Sequence, residues 1–160
     1  MTLIYRVPRT PSAPRIAIWR RLRRLGVAQL SDGVVALAED ARTLEQLEWV
    51  ADLVVEAGGT ALLLRAETLA AGDERALAQE LAAARAAEYL LIQTLASAAM
   101  TADEDGRRRA VKRLRRDLRE VRRRDYFPPA ERDEAVAAVQ ALAESVERPV
   151  QLASSIGERP

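Results

Sequence analysis

Val27-Ala28-Gln29-Leu30-Ser31-Asp32-Gly33-Val34-Val35-Ala36-Leu37 decides how the first half of this chain folds. Two short apolar runs, Val27 to Leu30 and Val34 to Leu37, flank an Asp-Gly pair, which is a hairpin signal. Working outward, the residues before it read as a helix from about Ala13 to Leu25, with Ile18, Leu22 and Leu25 on one stripe and Gly26 as its stop. Thr10 or Ser12 can cap that helix. Thr2-Leu3-Ile4-Tyr5-Arg6-Val7 reads as a strand that Pro8 ends. On the other side, Ala41 to Ala57 keeps helical spacing through Leu44, Leu47, Val50 and Val54, with Thr43 and Gln46 as a possible capping box. Gly58-Gly59 stops it, and Thr60 to Arg65 is a fourth strand. A hairpin after the first helix excludes a helix-turn-helix, which needs two helices in direct succession. The order strand–helix–strand–strand–helix–strand over residues 1–71 is the ferredoxin-like βαββαβ arrangement. One sheet face takes both helices, so the other needs a cover, either the remaining chain or a second subunit.

The remainder is helical. Asp73 to about Met100 is a long Ala-rich helix, and Thr101 to Gly106 reads as an acidic loop. Arg107 to Arg124 carries apolar residues at Val111, Leu114, Leu118 and Val121, the spacing of a coiled-coil seam. Asp125-Tyr126-Phe127-Pro128-Pro129 breaks it, and Glu131 to Val146 is a last amphipathic helix. The expected fold class is therefore α+β: a ferredoxin-like half (1–71), an all-helical C-terminal half (72–147) containing the basic helix 107–124, and a flexible tail (148–160).

Composition narrows the chemistry. The chain has 160 residues, 49% hydrophobic and 31% charged, with no Cys and no His. That is too apolar for a disordered chain. It excludes disulfides, thiolate nucleophiles, Ser-His-Asp arrangements and Cys/His zinc sites. No apolar run is long enough for a membrane span, and residues 1–10 lack the apolar region of a signal peptide. A cytoplasmic protein with no membrane partner is expected. No Gly-rich phosphate loop is present, and the first acid, Asp32, lies in a turn and not at the end of strand 1, where a carboxylate-driven metal nuclease would need it. Asp103-Glu104-Asp105 reads as a solvated helix boundary. The chain is thus expected to be a non-enzyme with no metal and no cofactor.

Charge is segregated although the net is only +1. Residues 1–31 hold seven Arg and no acid; residues 32–106 hold fifteen acids and four Arg; residues 107–124 hold eleven basic residues and two acids. Two basic blocks in a balanced chain point to a surface made for an anion. The candidate DNA- or anion-binding residues are Arg6, Arg15, Arg20, Arg21, Arg23 and Arg24 in the first block and Arg108, Lys112, Arg113, Arg115, Arg116 and Arg119 in the second. Guanidinium groups match phosphate through paired N–H donors. The competing reading is a solvated face, neutralised by the acidic middle of the chain or by a partner subunit. Trp19, Trp49, Tyr89 and Tyr126 read as core or interface residues.

Leu3-Ile4-Tyr5-Arg6-Val7-Pro8, Pro11-Ser12, Trp19 to Gly26, Asp32-Gly33-Val34, Leu47-Glu48-Trp49, Glu56-Ala57-Gly58-Gly59, Asp73-Glu74 and Arg124-Asp125-Tyr126-Phe127 resemble, in order and spacing, the N-terminal domain of the chromate-resistance regulator ChrB family. The resemblance implies a cytoplasmic transcriptional regulator that binds promoter DNA as a dimer, with DNA contact at Arg20, Arg21, Arg23 and Arg24 and more weakly at Arg15. Full-length members carry a further C-terminal domain, the more natural place for chromate sensing. The expected function is a DNA-binding module of chromate-resistance type. The alternatives are a sensor of chromate, sulfate or phosphate built on Arg6, Arg15, Arg20 and Arg24, or a structural oligomerisation protein.

Overall fold

The structure, a computed structural model, describes residues 1–147. Nine elements follow one another: β1 (Thr2–Arg6), α1 (Ser12–Leu25), β2 (Ala28–Ser31), β3 (Val34–Ala36), α2 (Ala41–Glu56), β4 (Thr60–Leu64), α3 (Ala71–Ala99), α4 (Glu104–Arg122) and α5 (Glu131–Glu147). The fold is α+β, with a helical C-terminal half. Two compact units meet at Leu81/Ala82, within α3. The expected tail lies outside the described residues.

In the first unit the sheet order is β2-β3-β1-β4, and each of its three pairings is antiparallel. That is the strand order of the ferredoxin-like motif. Leu3 pairs with Val35 on one side and Leu63 on the other, so these three share a face. Leu3 and Val35 are fully buried, as are Leu47, Val50 and Val54 of α2, while Ile18 and Leu22 of α1 are nearly so. Right-handed crossovers put both helices on that face. The opposite face carries Ile4, Leu62 and Leu64, all exposed.

Local chemistry differs from the sequence expectation at two helix ends, while the expected hairpin is present. The α1 N-cap is Pro11, with no side-chain cap from Ser12 or Thr10. The α2 capping box joins Asp40 and Thr43, not Thr43 and Gln46: Thr43 N–H donates to Asp40 Oδ1 (2.6 Å), and Asp40 N–H donates to Thr43 Oγ1 (2.9 Å). Thr43 Oγ1–H also donates to the Ala38 carbonyl (2.8 Å), which leaves this buried hydroxyl satisfied. In the hairpin only Gly33 takes a positive φ, +74°, so the turn is not the mirror-image type that needs two. β2 instead bulges between Gln29 and Ser31. A Cβ on Gly33 would run into the Tyr5 carbonyl, whose own N–H donates to Gly33 O at 2.7 Å.

The second unit buries a three-helix core. Tyr89, Ile92 and Ala96 come from α3, Val111, Leu114, Leu118 and Val121 from α4, and Ala135, Val139, Leu142 and Ala143 from α5. The apolar stripe read on residues 107–124 is thus an intramolecular seam.

Candidate nucleic-acid interface

α4 owes its cationic surface to its narrow apolar stripe. Four core positions face inward, and most of the remaining positions carry Arg. Such a helix repels itself, by a few tenths of a kcal/mol for each i,i+4 like-charge pair. Its ends compensate. Glu104 and Asp105 occupy the first turn, and Asp103 Oδ1 accepts from Gly106 N–H at 2.8 Å. Arg119 and Arg122 lie in the last turn, where the helix dipole favours cations. The segment expected as an acidic loop through Gly106 therefore supplies the cap and first turn of α4. Among the described residues no group of three carboxylates could hold a metal ion.

Arg108, Lys112, Arg115, Arg119 and Arg122 follow one another at alternating steps of four and three, one flank of a helix. This row is about 21 Å long at 1.5 Å per residue. Arg109, Arg113, Arg116 and Arg123 form a second row, interrupted by Glu120. All nine are exposed. Arg108 pairs with Glu104 (2.5 Å), Arg116 with Asp117 (3.2 Å) and Arg123 with Glu120 (3.6 Å). Exposed pairs of this kind contribute about 0–1 kcal/mol and exchange readily for another anion. Arg109, Lys112, Arg113, Arg115, Arg119 and Arg122 make no ion pair among the described residues. Arg109 and Arg122 belong to this surface as fully as the residues singled out from the sequence. The four–three spacing was the signal that could have added them.

In the first unit, Arg15, Arg20, Arg23 and Arg24 of α1 are exposed and make no ion pair among the described residues. Arg24 Nε donates to the Arg20 carbonyl at 3.4 Å, which holds it along the helix. Arg23 lies 5.1 Å from the ring centre of Trp19, and Arg21 lies 4.2 Å from that of Trp49. Arg21 is half-buried and its Nε has no partner, so it faces α2 more than solvent. Both tryptophans are exposed, unlike core residues. Arg6 alternates with Leu3 along β1 and shares the open sheet face with Ile4. The structure thus groups Arg20, Arg23 and Arg24 on the outside of α1 and leaves Arg6 on the opposite face of the sheet.

A buried polar network holds the end of α4 against α3. Arg85, 8% exposed, bonds Glu88 at 2.9 Å, and Arg124 bonds the other Glu88 oxygen. Tyr89 Oη donates to Asp125 Oδ2 at 2.8 Å. Burial pulls the Arg85 pKa below the usual guanidinium range, with Glu88 opposing it. Burial, and then the bond to Asp125, push the Tyr89 pKa well above the ordinary phenol value. Nothing in the charge pattern pointed to this network, because its members are 36 positions apart. It removes Arg124 from the solvent-facing set. Arg107 is likewise withdrawn, donating to the Ala102 carbonyl at 2.7 Å.

Among the described residues no helix is long and apolar enough to cross a membrane. No curated protein and no solved structure matches the chain. The family model described as Protein ChrB, N-terminal, matches residues 15–153, which takes in α1 from Arg15 on, the sheet from β2 to β4 without β1, and all of the basic helix. On that match the chain belongs to the ChrB N-terminal family, a family of chromate-resistance regulatory type.

Proposed function

We propose that this chain is a non-enzymatic DNA-binding module of a chromate-resistance regulator, acting as a dimer on promoter DNA inside the cell. Guanidinium groups of α4 and α1 contact phosphates. The observation that carries this reading is the acid-free row on α4, where Lys112, Arg115, Arg119 and Arg122 stay exposed and unpaired in a chain whose acids nearly equal its bases. Phosphate contacts give affinity and register, and base readout needs further contacts in a groove. Self-repulsion along α4 falls when phosphates neutralise it, so DNA stabilises the helix it binds.

A mobility-shift titration on DNA upstream of the protein's own gene, repeated at rising salt, tests this. Six contacted phosphates would give a slope of about −5 in log K against log salt. Binding that ignores salt, or no binding at low salt, would overturn it.

A further inference from the structure

We propose that the outer face of α3 is a two-fold interface with a second copy of this chain. The inference supplies the dimer that the DNA reading invokes, but its test needs no DNA. From Ala82 to Met100 the helix holds only two charged residues, Arg85 and Glu88, and both are spent on the buried network. The face turned away from Tyr89, Ile92 and Ala96 consists of Ala83, Ala84, Ala87, Leu90, Leu91, Thr94, Ser97 and Ala98, all exposed. Leu90 is 47% and Leu91 59% exposed. In a chain that is 31% charged, an uncharged helix surface of this length is an exception. A helix with apolar residues on its outer as well as its inner face is expected to pack on both.

The arrangement of sizes on that face says what the occupant is. It is symmetric about the point between Leu90 and Leu91. Going outward in either direction come a Leu, then Ala87 or Thr94, then Ala84 or Ser97, then Ala83 or Ala98. Two copies crossed antiparallel about that point would bring Leu90 and Leu91 of both copies together at the axis, each Leu91 beside the partner copy's Leu91, and would set Ala87 against the partner copy's Thr94. Small residues at both ends let the backbones approach, and the leucines fill the centre. An isologous contact needs this self-complementarity, and an unrelated partner does not. No charge is buried and no like charges meet, whereas pairing α4 with α4 would set Arg rows against each other. DNA has nothing to hold on a face without cations, and a membrane surface would be met by basic and aromatic residues that this face lacks. The stripe is about 24 Å long. One helix face is a small contact, so the dimer is expected to be concentration-dependent, in the micromolar range.

The absence of Cys makes the test direct. Leu91→Cys, beside the two-fold axis, is expected to cross-link to itself on mild oxidation. Ala87→Cys alone is expected not to, and an equimolar mixture of Ala87→Cys with Thr94→Cys chains is expected to give a covalent dimer. Sedimentation equilibrium of the parent chain is expected to show self-association that Leu91→Glu abolishes, with the circular dichroism spectrum unchanged. Self-linking by Ala87→Cys would mean parallel pairing, and self-linking by Leu62→Cys with none by Leu91→Cys would move the contact to the open sheet face. Either result, or a monomer at 100 times the expected dissociation constant, overturns the proposal. DNA binding by a Leu91→Glu monomer would overturn only the link between the two readings.

Discussion

Tyr89 Oη of α3 donates its hydrogen bond to Asp125 Oδ2 across 2.8 Å, and Asp125 sits just beyond the last turn of α4. Tyr89 is fully buried, and the other Asp125 oxygen has no protein partner. The contact therefore ties the chain just past the Arg-bearing helix to α3.

Tyr89→Phe keeps the ring and removes the donor, leaving the carboxylate of Asp125 without either bond. The expected loss is about 1–2 kcal/mol in urea unfolding, the cost of leaving a half-buried carboxylate oxygen without its hydrogen bond. A loss below a few tenths would mean that water replaces the hydroxyl.

Stability should fall in alkali through the same residue. The folded-state pKa of Tyr89 is raised above its unfolded value, so the folded chain holds a proton that the unfolded chain gives up. Its contribution is complete below about pH 10 and is lost as the pH rises from there toward the folded-state pKa. Chemical unfolding at stepped pH should show this decline in the parent chain and a shallower one in Tyr89→Phe.

Two carboxylates that both pair with Arg should behave differently. Glu88→Gln strands Arg85 and Arg124, and it is expected to cost about 2–3 kcal/mol, below the usual value for a fully buried pair because Glu88 is partly exposed. Glu104→Gln loosens only the exposed pair with Arg108, for less than about 1 kcal/mol. Equal effects in thermal unfolding would count against the network as an anchor.

On DNA, Arg115→Gln and Arg119→Gln should each flatten the salt dependence by about one unit of slope and weaken binding alike on all sequences. Arg124→Gln should act through stability instead. Its guanidinium is engaged with Glu88, so binding by the folded fraction should keep its slope.

The first half was legible because its signals are local. Gly26, Gly33 and the Gly58-Gly59 stop sit where the backbone leaves a regular element, and helical spacing alone puts Ile18, Leu22, Leu47, Val50 and Val54 on the stripes that are buried, with Leu25 and Leu44 half-buried beside them. The caps were read less well. Pro11 takes the cap position although Ser12 and Thr10 are better N-cap residues, and Asp40 takes it three residues ahead of Thr43, because the path of the chain into the helix picks the position. The basic rows were legible as composition, but which cations stay free was not.

Residue order alone determined the strand and helix sequence, the two basic blocks and the family, because periodicity, turn chemistry and charge are properties of neighbours in the chain. Tertiary structure decided that Arg124 and Arg85 are spent inside, that Arg21 turns to Trp49, and that Leu90 and Leu91 face out. Those outcomes depend on which side chains meet across dozens of residues, and a carboxylate such as Glu88 can quench a guanidinium only once the fold has brought the two within bonding distance.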